Sequence, residues 1–92
     1  MIKLENYPKQ RERILAQQSS GTLVLLNLDQ GNYYALNRVG SRAWELCDGT
    51  RSVGQMVDII SREYDAPPEV VAADLLELLG DLENEDLLSE NS

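Results

Sequence analysis

The sequence predicts an α+β domain in which a three-stranded antiparallel sheet is followed by three helices. Three observations carry that prediction. The apolar spacing changes from a period of two to one of about 3.6 near Asn37. Clusters of turn-forming residues cut the first third of the chain into short extended pieces. A capping sequence and a diproline mark helix starts in the second half. Strands grouped before helices, with no alternation between them, argue against a parallel βαβ sheet.

The first extended candidate lies within residues 10–17, QRERILAQ, and ends at the turn formers Gln18, Ser19, Ser20 and Gly21. Thr22 to Leu28 is a near-continuous apolar run with β-branched members, read as a central strand buried on both faces. Asp29-Gln30-Gly31-Asn32 is a turn in which Gly31 supplies a positive φ. The third strand is Asn32 to Leu36 and, as the last of the meander, lies at an edge. Asn37 N-caps a helix to Leu46 or Cys47, with Val39, Ala43, Leu46 and Cys47 sharing a face and Gly49 stopping it.

Ser52 and Gln55 form the capping box of a second helix, whose inner face is Val53, Met56, Val57, Ile60 and Tyr64. Pro67 and Pro68 suit the first turn of a third helix, where their missing N–H groups would be unbonded anyway. That helix runs to about Glu83 with Val71, Leu75, Leu78, Leu79 and Leu82 on one side. Leu87-Leu88 reads as a short closing extended piece.

Ninety-two residues suffice for one domain with a modest core. With 42% apolar residues the composition is that of an ordinary soluble globular protein. No apolar run approaches the length of a transmembrane span, and the N-terminus MIKLENYPKQRER is not a secretory signal. A cytoplasmic location is the expectation. Cys47 is the single cysteine, which excludes an internal disulfide and a CxxC metal site. Histidine is absent, which removes the commonest general base, the commonest metal ligand and every Ser-His or Cys-His nucleophile pair. An enzyme is not expected, nor a metal, nor a cofactor.

Charge is unevenly placed on a chain of formal net charge −8. The first twenty residues are mildly basic, whereas from Glu63 to the end there are ten acidic residues and no Lys or Arg. Such a surface repels phosphate backbones and attracts basic peptide segments. The plain alternative is a solvated helix face.

Tyr33 and Tyr34 are the sharpest local signal, because neighbours in a strand point to opposite faces and only one ring can face the core. On the structural reading the other is an exposed β-former. On the functional reading the third strand is an open edge that accepts a strand from another chain. Residues 32–36 carry no lysine, proline or charge to guard such an edge. The third helix, VVAADLLELLGDL, is apolar on more than one side, with Val70, Leu76 and Leu82 away from the row Val71, Leu75, Leu78 and Leu79. It either lines a groove as well as the core or is buried in a small bundle. Helices two and three superficially form a helix-turn-helix with the sheet as its wing, but the recognition helix lacks the basic residues DNA reading requires. Trp44 reads as a packing anchor and Cys47 as a buried thiol.

The stretch LLNLDQGNYYALNRVGSRAWELCDGTRSVGQMVDII, followed by an acidic helix ending in EDLL, resembles the PqqD-like family. That family includes the pyrroloquinoline quinone peptide chaperone and the recognition elements of ribosomal peptide biosynthesis. The matching pieces are the apolar strand before a D-x-x-G turn, the G-x-Y-Y-x-L-N strand, the V-G-x-x-x-W-E-L helix, the C-D-G-T-R-S-V junction and the final helix. Together they cover about residues 12–88 of a single domain. The Y-Y-x-L-N strand and the small size look most like the stand-alone leader-binding subunit of lasso peptide clusters.

The resemblance implies a winged helix-turn-helix-like fold turned from nucleic acid to peptide. It implies a non-catalytic protein that adds the leader of a precursor peptide as a strand beside strand three. By position the peptide-binding edge is Asn32, Tyr33, Tyr34, Ala35 and Leu36, and the helix wall is Val71, Asp74, Leu75, Leu78 and Leu79, with Asp74 and Asp81 at the rim. The implied partners are the leader peptide, a separate cysteine-protease leader peptidase and a cyclase, with no nucleic acid and no membrane. Two alternatives stay open: a quinone-cofactor peptide chaperone serving a radical enzyme, and a winged-helix transcription factor.

Overall fold

The computed structural model describes residues 2–89. In it the chain runs β1 (Lys9–Gln10), β2 (Ile14–Ser19), β3 (Thr22–Asn27), β4 (Tyr33–Leu36), α1 (Arg38–Leu46), α2 (Val53–Glu63), α3 (Pro68–Asn84) and β5 (Leu88–Ser89). Strands β2, β3 and β4 form an antiparallel meander in that order, and β1 pairs with β5 in a separate two-stranded ribbon. The expected α+β architecture of three strands and three helices is therefore present. Among the described residues no helix is long and apolar enough to cross a membrane.

The β2–β3 hairpin turns at Ser20 and Gly21, with φ angles of 48° and 80°. Two positive φ values in a two-residue loop match the right-handed twist of the strands they join. The turn is shorter than the residue types suggested, so β2 extends through Gln17, Gln18 and Ser19. These polar residues tolerate strand geometry because β2 is an exposed edge. Strand β3 also departs from expectation. Leu25 and Asn27 are buried, but Val24 and Leu26 on the opposite face are only half covered, and Leu28 is exposed beyond the strand. The physical reason is that the helices cover one face of the sheet and not both.

Helix α1 starts where Asn37 Oδ1 accepts from Gly40 N–H at 2.8 Å. Its buried face is Gly40, Ala43, Trp44 and Leu46, and Val39, expected there, is exposed. Gly40 allows the close seat of α1 on β4, since a Cβ there would lie 3.2 Å from a Leu36 methyl carbon. The α2 capping box is complete, with Ser52 N–H donating to Gln55 Oε1 and Gln55 N–H to Ser52 Oγ. Val53, Met56, Val57 and Ile60 are buried as expected. Tyr64 is the C-cap residue and turns outward. On α3, Val71, Leu75, Leu79 and Leu82 are buried, which moves Leu82 firmly into the core. Leu78 is half-buried and Val70 exposed.

Residues 4–10 form a strap that the sequence did not announce. The carbonyls of Leu4 and Asn6 accept from Gly54 and Val53 N–H, satisfying two donors at the start of α2 that have no partner within the helix. Pro8 C=O accepts from Gly49 N–H, and Gln10 Nε2 donates to Trp44 C=O at 2.7 Å. Arg42 forks onto Glu63 with two 2.8 Å contacts, joining α1 to the end of α2 and holding the Glu63 carboxyl below its ordinary range.

Asn27 ties the sheet to the far end of α3. Only 2% exposed, it donates from Nδ2 to Asp86 C=O at 3.0 Å, while its Oδ1 accepts from Asp29 and Gln30 N–H. Asn32 Nδ2 donates to Glu85 C=O and Gln30 Nε2 to the Asp86 carboxylate. Asp86 itself has a φ of 57°, reversing the chain into β5. Asn27→Ala strands the two turn N–H groups and the Asp86 carbonyl, so it should cost about 3 kcal/mol, read as a lower urea midpoint at unchanged slope.

Cys47 is fully buried, its Sγ donating to Ala43 C=O, and burial pushes the thiol up from 9.0 to about 12, with Asp48 adding to the shift. The folded-state value lies above the unfolded one, so this group's contribution to stability is full below about pH 9 and lost as pH rises towards 12. A thiol reagent at pH 8 should therefore label Cys47 only at the rate of unfolding, and fast labelling of native protein would contradict its burial.

Candidate functional site

β4 pairs with β3 on one side, and no described strand pairs with it on the other. Half of its backbone N–H and C=O groups therefore point away from the sheet. The short strand β5 pairs with β1 and not with this margin.

Beside the open edge lies a cleft of about 430 Å³. Its walls are Tyr34, Ala35 and Leu36 of β4 and Val71, Asp74, Leu75 and Leu78 of α3, so these predicted site residues from the two elements come together. The other three lie elsewhere. Leu79 is fully buried in the core. Asn32 precedes β4 in the turn, where its side chain holds Glu85 C=O and its buried Oδ1 has no partner among the described residues. Tyr33, 71% exposed, points to the opposite face of the sheet.

Sequence reasoning missed the rest of the lining. Val39 and Gly40 of α1, and Tyr64, Ala66 and Val70 around the α2–α3 connection, join it together with Asn37, Ala43 and Ile60. Val39, Tyr64 and Val70 are the large apolar residues on α1, α2 and α3 that remain exposed. Helical spacing had assigned Val39 and Tyr64 to the core, because spacing gives a face without saying what covers it. Val70, off the main row of α3, was the available signal. Leu36 and Leu75 touch the cleft but are only 2% and 3% exposed, so each also belongs to the core.

Apolar walls meet an acidic rim. Asp74 lines the cleft mouth, and the Tyr34 hydroxyl donates to Asp81 Oδ2 over 3.4 Å, a long contact. Burial raises the Tyr34 pKa first, and the nearby carboxylates of Asp81, Glu85 and Glu77 raise it further. Among the described residues, Asp74, Glu77 and Asp81 make no ion pair. The rim thus offers uncompensated negative charge beside an apolar slot. The one thiol is buried away from solvent, and no described group of three His, Cys, Asp or Glu side chains could hold a metal.

Known proteins resemble this chain in sequence and in fold. A PqqA binding protein from Bradyrhizobium diazoefficiens is 34% identical over 56 residues, which cover 61% of this chain and 54% of that one. The chain thus matches about half the length of that relative. The solved structure of TbiB1 in complex with the TbiA(beta) leader peptide is 33% identical with a TM-score of 0.78, covering 88% of this chain and 94% of the other. A lasso peptide synthetase B1 complexed with its leader peptide has the same fold at 19% identity, with a TM-score of 0.78 and 90% and 98% of the two chains covered. The profile of the coenzyme PQQ synthesis protein D family matches residues 22–88, from the start of β3 to β5, and the chain belongs to that PqqD family.

Proposed function

We propose that this protein is a non-catalytic recognition element that captures the leader segment of a ribosomally made precursor peptide. The leader adds as a strand to β4, and its alternate side chains enter the cleft between β4 and α3. The observation that carries the proposal is an open strand edge running alongside an apolar cleft. Backbone pairing supplies affinity with little sequence demand, and the cleft supplies choice among leaders. Support comes from TbiB1, 33% identical over nearly its whole length and solved with a leader peptide.

On this reading the protein acts in the cytoplasm in lasso peptide biosynthesis. It presents the precursor to a separate cysteine peptidase and a cyclase, raising the effective concentration of substrate. The winged helix-turn-helix likeness of the fold is then one of shape alone, since the surface of α3 carries carboxylates where a DNA reader carries cations. The PqqA-binding relative favours a second reading, a peptide chaperone for quinone-cofactor synthesis using the same cleft.

The chemistry of the cleft describes the ligand as well. An apolar slot of this size takes large aliphatic or aromatic side chains spaced two apart, and the rim favours a neighbouring Lys or Arg. A rim pair contributes under about 1 kcal/mol, whereas truncating a buried anchor costs about 2 kcal/mol or more. Val70→Asp and Leu78→Asp test the cleft better than changes at Leu36 or Leu75, because they disturb the core less.

Each should weaken binding of a fluorescent leader, made from the adjacent precursor gene, by about tenfold or more (about 1.4 kcal/mol) with little change in melting temperature. Unchanged affinity would remove the site from the cleft. Tight binding of a pyrroloquinoline quinone precursor and no lasso leader would select the second reading.

A further inference from the structure

Resting on the proposed capture of a peptide strand at β4, we propose that Asn37 is a positioning residue for that strand. Its backbone N–H and its side-chain amide hold ligand backbone carbonyls just beyond Leu36, while the same side chain caps α1.

Hydrogen bonds at the end of β3 fix which groups of β4 are open. Asn27 N–H donates to Asn32 C=O, whereas the next N–H, that of Leu28, donates to Arg13 C=O on the side of β2. Odd-numbered residues of β3 therefore bond towards β4, and the register sets Leu25 against Tyr34 and Leu23 against Leu36. Tyr34 and Leu36 direct their backbone groups to β3, so those of Tyr33 and Ala35 face the open margin. The next residue in that phase is Asn37, whose backbone is still extended, with φ −77° and ψ −173°. Its N–H has no partner among the described residues. Its C=O is already occupied by the N–H and the Oγ of Ser41, each at 2.8 Å.

The side chain repeats this one-sidedness. Oδ1 accepts from Gly40 N–H at 2.8 Å, and only the oxygen of an amide can accept, which turns Nδ2 away from the helix. Asn37 is exposed and lines the cleft, and its Nδ2 has no partner among the described residues. The amide nitrogens of Asn27 and Asn32, in contrast, both donate to carbonyls beyond α3. Capping needs an oxygen alone, so Ser or Asp would serve α1 as well. The free donors lie in line with the open groups of Tyr33 and Ala35.

A ligand strand antiparallel to β4 exchanges both N–H and C=O with Ala35 and with Tyr33. Opposite Asn37 it meets donors and no free acceptor. There the ligand must offer a carbonyl, and its own N–H is not required. This one-way contact sets the register at one end of the bound strand, independently of the side chains that enter the cleft.

Asn37→Ser and Asn37→Asp separate the two roles, because both keep a capping oxygen and remove the amide donor. With the full-length protein and a fluorescent leader from the adjacent precursor gene, anisotropy should show affinity falling about fivefold for Asn37→Ser and further for Asn37→Asp, whose carboxylate would face a ligand carbonyl. Melting temperature should change little. N-methylation along the leader should weaken binding at the two positions facing Ala35 and Tyr33 and be tolerated two residues before them, opposite Asn37. Unchanged affinity in both variants, with Leu78→Asp still weakening binding, overturns the clamp and leaves capture in the cleft intact. Affinity lost only in step with melting temperature in both variants would reduce Asn37 to its cap and overturn the proposal, as would a third N-methyl-sensitive position opposite Asn37. Failure of wild type to bind the leader would overturn the capture reading itself.

Discussion

Everything that makes a cleft in this small fold depends on a hydrogen-bonded junction at one end of the sheet. Asn27 closes β3, nucleates the turn to β4 through Asp29 and Gln30, and holds the carbonyl of Asp86 beyond α3. Asn32 and Gln30 add bonds to Glu85 and Asp86. A buried amide is tolerable only when satisfied, and here both ends of the Asn27 side chain are used. The junction fixes β4 and the C-terminal end of α3 at one separation. At the other end Leu36 meets α1 across the bare Cα of Gly40. Between those two fixed ends the walls can stand apart without collapsing.

That separation explains how one set of leucines and valines serves two purposes. Leu75 and Leu79 fill the core against α1 and α2, while Leu78 and Val70 on the same helix remain available to the cleft. On the proposed reading a peptide paired to the backbone edge of β4 would be held with little demand on its sequence, and the apolar lining and acidic rim would supply the discrimination.

The N-terminal strap and β1 show how non-local order is hidden from a linear reading. Residues 4–10, LENYPKQ, mix apolar and polar types with no net charge and no periodicity of their own. They become ordered because the first N–H groups of α2 and the chain after α1 need partners, and Leu4, Asn6 and Pro8 supply carbonyls. The ribbon of β1 with β5 joins residues 80 positions apart, which no local propensity encodes. The buried role of Asn27 was hidden for the same reason. At the end of an apolar run it reads as turn chemistry, and its bond to Asp86 spans 59 positions.

The order and type of the main elements were legible in the sequence, since turn residues, the S-x-x-Q capping box, the diproline and the change of apolar period are local devices. So was the open edge, because a strand last in a meander with no guarding charge is an edge wherever the helices settle. Membership of the family was legible too, from the order of those same pieces. Which face each residue shows was not. Val39, Tyr64 and Leu28 are apolar residues that spacing or run length placed inside, and packing leaves them exposed. Only the tertiary structure assigned Tyr34 to the cleft and Tyr33 to the outer face, because sheet alternation separates the two rings and the position of the helices alone decides which one is covered.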